Sequence, residues 1–265
     1  MCATCGCAGD GAVVHGAAGG HDHGHDHAHD HAHVVPHGDA RTVQLQQKVL
    51  AKNDGIAAGT RAWLAKRGVG MLNLMSSPGA GKTTLLEGTA RALAGTLDIA
   101  VIEGDQETAL DASRISAAGC RVVQINTGSG CHLDAAMVAR GLDELGPAPG
   151  SAVVIENVGN LVCPALFDLG EAHRVVLAAV TEGPDKPMKY PQMFRQADLV
   201  LLTKVDLLPY VEFDTGRYAA DLARVNPSAG VIQLSATTGE GMGTWLTWLT
   251  AAARCEPRPL PPGRG

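Results

Sequence analysis

Ser76-Ser77-Pro78-Gly79-Ala80-Gly81-Lys82-Thr83-Thr84 follows the apolar run Met71 to Met75 and opens a helix-like run at Leu85. Pro78, Gly79 and Gly81 shape a tight turn whose backbone N–H groups can point at phosphate oxygens, and the helix that follows adds the positive end of its dipole. In such a loop Lys82 reaches the β- and γ-phosphates and Thr83 holds Mg²⁺, with Gly79, Ala80, Gly81 and Thr84 completing the cradle. The pattern G-x-x-x-x-G-K-[ST] is met except at its first position, where Ser76 stands for glycine. The context compensates: a glycine-rich turn between a buried strand and an amphipathic helix is what phosphate binding needs.

Working outward, strand-like runs occur at Met71 to Met75, Ile99 to Ile102, Val122 to Ile125, Ala152 to Ile155, Val175 to Val180, Leu199 to Leu202 and Val231 to Leu234. Helical segments separate most of them. The alternation predicts an α/β P-loop NTPase with a mostly parallel seven-stranded sheet flanked by helices. Its ligand crevice is expected at the strands' carboxyl ends.

The candidates for chemistry fall at those ends. Glu103-Gly104-Asp105 closes the second run and Glu156-Asn157-Val158-Gly159 the fourth. Their carboxylates can bind Mg²⁺ or orient a water, and Gly159 can offer its N–H to the γ-phosphate; the plainer alternative is an ordinary polar strand end. Thr203-Lys204-Val205-Asp206 follows the sixth run and fits the guanine-specifying motif, with Thr203 where Asn is usual. Asp206 can accept from guanine N1–H and the exocyclic amine, which adenine does not offer, so GTP is favoured over ATP. Thr203 is expected to loosen the loop beneath the base. Ser235-Ala236-Thr237 resembles the backbone loop that touches guanine O6.

At 265 residues, 45% hydrophobic and 18% charged, the chain can bury one ordinary core plus appendages. A net charge of -6 argues against nucleic acid as the main partner, and no basic patch stands out. No apolar run approaches the roughly 18 to 20 residues of a membrane span, and the N-terminus lacks the regions of a secretory signal. A cytoplasmic protein with no membrane partner is the expectation. The seven cysteines then read as metal ligands, reactive thiols or small core residues rather than disulfide partners.

Residues 1–39 hold almost no large apolar side chains and read as a disordered tail. Cys2, Cys5 and Cys7 can close a compact thiolate chelate, with a redox Cys-x-x-Cys pair as the alternative. His21, His23, His25, His27, His29, His31 and His33 alternate with Asp, Gly and Ala, unlike a plain hexahistidine tag. Imidazoles spaced along a chain suit borderline ions such as Ni²⁺, Zn²⁺ or Cu²⁺. Residues 40–68 read as two short linker helices interrupted by Gly55 and Gly59, with Trp63 and Leu64 packing on the nucleotide domain at 69–254. Residues 255–265 form a Pro-rich tail. Within the domain, Gly130-Cys131-His132 and the Cys163 thiol, seven residues after Glu156, could make a second metal site beside the nucleotide. Each residue alone reads more simply as core, and Cys120 and Cys255 have no partner pattern.

Ser76 to Thr84, Val101 to Gln106, Asn126-Thr127-Gly128 with Gly130-Cys131-His132, Glu156 to Pro164, and Thr181-Glu182-Gly183-Pro184-Asp185-Lys186-Pro187 together resemble the nickel-incorporation GTPases of nickel-iron hydrogenase maturation. The resemblance runs from about Ala40 to Ala253. It implies a GTPase of the signal-recognition and MinD-like (SIMIBI) class that dimerises with nucleotide and binds nickel or zinc through Cys131, His132 and Cys163 near the dimer interface. In this reading Lys82, Asp105, Glu156 and Gly159 serve catalysis, and Lys204, Asp206, Ser235 and Ala236 hold the base of Mg·GTP. The expected function is delivery of Ni²⁺ to a hydrogenase large-subunit precursor with a partner nickel chaperone. A urease-type nickel GTPase and a nickel storage protein with incidental hydrolysis are the alternatives.

Overall fold

The computed structural model describes residues 40–105, 110–128 and 130–254. The chelating tail with Cys2, Cys5, Cys7 and His21 to His33, and the C-terminal residues 255–265, lie outside the described residues. Seven strands, β1 (Gly70–Ser76), β2 (Ile99–Asp105), β3 (Arg121–Asn126), β4 (Ala152–Glu156), β5 (His173–Ala179), β6 (Leu199–Thr203) and β7 (Gly230–Leu234), form one sheet in the order β3-β2-β4-β1-β5-β6-β7. Every neighbouring pair is parallel. The predicted seven-stranded parallel sheet is therefore observed, and β2 runs on through Glu103 and Asp105.

The helices are α1 (Ala40–Arg67), α2 (Lys82–Leu93), α3 (Leu110–Ala117), α4 (Ala135–Leu145), the short α5 (Lys186–Lys189) and α6 (Pro191–Arg195), α7 (Thr215–Val225) and α8 (Met242–Ala252). Strand residues alternate between faces, and the two faces bury different helices. Leu72, Leu74, Val101 and Val175 share a core with Leu85 and Leu86 of α2, Ile115 of α3 and Trp245 of α8. Met71, Ile102 and Val153 pack against Leu64 of α1 and Val138 and Leu142 of α4. On that same side Met75, Val176 and Val200 pack against Phe194 of α6 and Leu222 of α7. Among the described residues no helix is long and apolar enough to cross a membrane.

The two linker helices are in fact one. Helix α1 runs unbroken for 28 residues through Gly55 and Gly59. Both glycines are exposed, with nothing within 4 Å of an added Cβ. Each costs about 1 kcal/mol relative to alanine, which burial of Asn53, Ala57, Thr60 and Leu64 along one stripe offsets. Gly170 comes so close to this stripe that a Cβ would lie 2.8 Å from the Ala57 carbonyl oxygen.

Candidate functional site

Central strand β1 ends at Ser76, and the chain turns back into α2 through Gly79 (φ 74°) and Gly81 (φ 99°). No atom crowds either glycine. Their requirement is the left-handed backbone itself, which orients successive N–H groups into one concavity. Lys82 Nζ donates to Ser76 Oγ at 2.9 Å, and Ser76 Oγ donates to the Ser77 carbonyl at 2.6 Å. Ser76 thus gives the buried ammonium a partner where glycine would give none. Burial holds the Lys82 pKa below its ordinary value, against the pull of Glu156 and other carboxylates.

Glu103 and Glu156 stand opposite each other in the β2–β4 register. Both are buried, and each has one carboxyl oxygen, Oε2, without a hydrogen-bond partner. Thr83 Oγ1 donates to Glu156 Oε1 at 2.8 Å. Burial, reinforced by Glu156 and Asp105, raises Glu103 to about 8. Burial also raises Glu156 to about 7, with Lys82 and Thr83 pulling the other way. Orphaned hard oxygens beside a threonine hydroxyl and a phosphate-type loop fit a Mg²⁺ ion. Asp105 lies half-buried at the end of β2.

Two flanks brace the phosphate loop. On one, Gly159 lies so close that a Cβ there would meet Pro78 Cα and N at 3.0 Å. On the other, buried Thr203 donates from Oγ1 to the Ala80 carbonyl at 2.8 Å. This bond ties the end of β6 to the phosphate loop and so opposes the loosening expected of Thr203. Lys204, half-buried, takes the left-handed conformation at φ 60°, the single non-glycine case among the described residues, and turns the chain so that Asp206 follows half-buried. Ser235 is held by its Oγ, which accepts from Thr238 N at 3.2 Å, and Ala236 is half-buried beside it. Thr84 accepts from Arg114 at 3.3 Å.

The second cluster sits on the other side of β1. Asn126 and Thr127 fold a turn, in which Thr127 Oγ1 donates to the Gly130 carbonyl at 2.8 Å, and Cys131 and His132 follow. Cys163 opens a 3₁₀ turn (Cys163–Leu166). Ligand atoms of Cys131, His132 and Cys163 all lie within 4.8 Å of one another. The two sulfurs are 2.8 Å apart. His132 stacks on Phe167 with centroids at 4.0 Å, and burial holds its pKa below the usual value, keeping the neutral, metal-binding imidazole. Two thiolates and an imidazole suit Ni²⁺ or Zn²⁺.

Loop 131–133 also touches the Glu156–Gly159 segment. Asn157 Oδ1 accepts from Leu133 N at 3.4 Å, and Asn160 Nδ2 donates to the Cys131 carbonyl at 3.4 Å. The structure thus brings the phosphate loop, both glutamates, Gly159 and the Cys/His/Cys cluster together around the ends of β1, β2 and β4. Lys204, Asp206, Ser235 and Ala236 lie across β5, on the loops that follow β6 and β7. Reading the sequence missed Asn53 and Phe167, since neither belongs to a pattern with a chemical signature.

Residues 71–233 match the family described as CobW/HypB/UreG, nucleotide-binding domain. The hydrogenase maturation factor HypB of Rhizobium leguminosarum bv. viciae is 55% identical over 213 residues, covering 80% of this chain and 71% of that protein. The hydrogenase/urease maturation factor HypB of Helicobacter pylori (strain ATCC 700392 / 26695) is 37% identical over 223 residues, covering 83% and 91%. The crystal structure of HypB from Helicobacter pylori in complex with nickel superposes with a TM-score of 0.74 at 36% identity, over 80% of this chain and 99% of that one. HypB from Archaeoglobus fulgidus gives 0.72 at 38%, over 76% and 98%. Similarity at this level, spanning the phosphate loop, both glutamates and the Cys/His/Cys cluster, goes beyond a shared sheet topology: the chain belongs to the HypB family of hydrogenase maturation factors.

Proposed function

We propose that this chain is a GTP-hydrolysing nickel metallochaperone that delivers Ni²⁺ to a nickel-iron hydrogenase large-subunit precursor. It acts in the cytoplasm with a partner nickel chaperone and as a nucleotide-dependent homodimer. The observation that carries the reading is one continuous segment: Gly159 rests on Pro78 of the phosphate loop, and Cys163 of the metal cluster follows four residues later. A nickel protein with GTPase relatives needs such a connection if hydrolysis is to act on the metal.

In this mechanism Lys82 leaves Ser76 for the β- and γ-phosphates, and the loop N–H groups between Pro78 and Thr83 bind phosphate oxygens. Thr83 and Glu156, with Glu103 and Asp105 nearby, would hold Mg²⁺, which neutralises charge on the phosphate oxygens. Asp105 and Glu156 orient the attacking water. Gly159 donates its N–H to the γ-phosphate, and loss of that contact releases the segment leading to Cys163. Asp206 reads guanine N1–H and amine, and the backbone at Ser235 and Ala236 meets O6. Cys131, His132 and Cys163 carry the nickel cargo, with Zn²⁺ the competing ion. Cys2, Cys5 and Cys7 supply a tight site on the tail, and His21 to His33 several weaker ones.

The test is peptide-resolved alkylation of Cys131 and Cys163 in the intact chain against buffered Ni²⁺, with GDP and with a non-hydrolysable GTP analogue, each also run without metal. Linkage of ordinary size, about 1–3 kcal/mol, would separate the two half-protection concentrations by roughly 5- to 150-fold. Ni²⁺ must shift the GDP-versus-analogue preference by the same factor. Equal protection in both states would remove the coupling and favour nickel storage, which the His21 to His33 run also suits.

A further inference from the structure

Helix α1 shows no recognisable chemistry in its sequence, yet one of its side chains joins both arms of the metal cluster. Asn53 is buried, with 6% exposure. Its Oδ1 accepts from the backbone N–H of Ala135 at 2.9 Å. Its Nδ2 donates to the carbonyl of Asp168 at 2.7 Å. Ala135 begins α4, three residues after His132, and Asp168 directly follows Phe167, the ring on which His132 stacks. The arm carrying Cys131 and His132 and the arm carrying Cys163 and Phe167 are thus both tied at their far ends to one α1 carboxamide, in addition to the Asn160–Cys131 bond between them. Arg61, two turns further along α1, donates to Asp168 Oδ1 at 2.6 Å, so the second arm is gripped twice.

We propose that Asn53 is a positioning residue for the Cys131/His132/Cys163 metal site. It sets the spacing and orientation of the two ligand arms without touching the ion. The inference rests on the metal-site reading above and deepens it. A carboxamide suits this role because it offers an acceptor and a donor about 2 Å apart, and so can take an N–H from one arm and satisfy a C=O on the other. Alanine would strand the buried Ala135 N–H and strip the part-buried Asp168 carbonyl of this partner, and the arms would drift to find others. Aspartate would keep the acceptor and lose the donor.

The experiment compares the parent, Asn53→Ala and Asn53→Asp as full-length chains, using Ni²⁺ alone in a metal buffer and peptide-resolved alkylation of Cys131 and Cys163. Supporting residues of a metal site typically change affinity by about 10- to 100-fold, and a rise of that size in the half-protecting Ni²⁺ concentration is expected for Asn53→Ala and also for Asn53→Asp, whose buried carboxylate would face the Asp168 carbonyl oxygen. GDP affinity should stay at the parent value. To separate positioning from general loosening, Trp245→Phe weakens the core on the opposite face of the sheet, where Trp245 Nε1 donates to Thr89 Oγ1 at 2.8 Å. At a matched loss of melting temperature it should leave Ni²⁺ protection unchanged. Parent-like protection in Asn53→Ala, or an equal loss in Trp245→Phe, overturns the inference while leaving the metal site standing. No protection of Cys131 and Cys163 in the parent removes the site and the inference together.

Discussion

Gly159→Ala puts the contact between the Glu156–Gly159 segment and the phosphate loop under direct strain, and so tests the proposed γ-phosphate role of Gly159. Gly159 is not among the glycines with positive φ, so alanine can adopt its backbone conformation. The obstacle is space: the new Cβ would lie 3.0 Å from Pro78 Cα, 3.0 Å from Pro78 N and 3.1 Å from Pro78 Cγ. Carbon atoms rest comfortably about 3.5–4.0 Å apart, so one segment must give by a few tenths of an ångström. Two of the three atoms are backbone of the loop that cradles phosphate and cannot rotate away. Overpacking of this kind costs about 1–3 kcal/mol. If the segment at residue 159 yields, its N–H moves off the γ-phosphate, and GTP affinity should fall by roughly 5- to 150-fold at 1.4 kcal/mol per tenfold, with a smaller loss for GDP. Calorimetric titration of parent and variant with GDP and a non-hydrolysable GTP analogue reads both. Pro78→Ala should not rescue the variant, because it removes only the ring atom. A Gly159→Ala protein with the parent's analogue affinity and analogue-to-GDP ratio would refute the contact as a γ-phosphate sensor.

Two further outcomes follow from the site. Asp206→Asn should weaken GTP and improve xanthosine triphosphate, because the amide presents a donor to the guanine amine but can pair with the xanthine carbonyl; parent-like steady-state hydrolysis of GTP would discard Asp206 as the base reader. Glu103 near 8 and Glu156 near 7 are both raised above the usual carboxylate range, so between about pH 5 and 8 the folded state holds protons that the unfolded chain releases. Stability from these groups is present at low pH and lost as pH rises through 7 to 8, while the lowered Lys82 contributes in the opposite sense at higher pH. In the nucleotide- and metal-free chain, the melting temperature of the parent relative to Glu103→Gln should therefore fall from pH 6 to pH 9. A difference that stays flat or rises would contradict the raised carboxyl.

Seven apolar runs were enough to find the seven strands. Those inside the sheet are buried on both faces and read as short hydrophobic stretches, while the edge strands β3 and β7, partly exposed and interrupted by Gln124 and Gln233, still show as short β-branched runs. The phosphate loop, both glutamates and the Cys131/His132/Cys163 grouping were legible because their chemistry demands particular residue types at particular strand ends. Helix α1 was misread. Gly55 and Gly59 look like breaks locally, but tertiary burial outweighs their helix cost, and the buried stripe runs through Asn53, Ala57, Thr60 and Leu64. An asparagine among polar residues gives no hint that its partners lie 82 and 115 positions away. Ser76 and Thr203 depart from the usual motifs as letters, yet each hydroxyl makes a bond that depends on the fold, with Lys82 and with the Ala80 carbonyl.

The two braces on the phosphate loop differ in kind, and the difference indicates which way a nucleotide signal can travel. Thr203 holds Ala80 through a buried hydrogen bond of 2.8 Å, a link that is costly to break and that keeps the end of β6 in register with the loop after β1. Gly159 meets Pro78 through close packing, a contact that can part without stranding a buried hydroxyl. Its segment continues into Asn160 and a 52% exposed Val162 before Cys163. Gain or loss of a γ-phosphate can therefore move the Gly159 side at lower cost than the Thr203 side. Motion there reaches Cys163 directly and Cys131 through the Asn160 carboxamide, whereas Phe167 and Asp168 stay anchored to α1 by Asn53 and Arg61. The expected consequence for nickel is that Cys163 and Cys131 shift against His132, whose stacking partner Phe167 adjoins the Asp168 that α1 anchors, so that a small displacement at Gly159 would count at the metal.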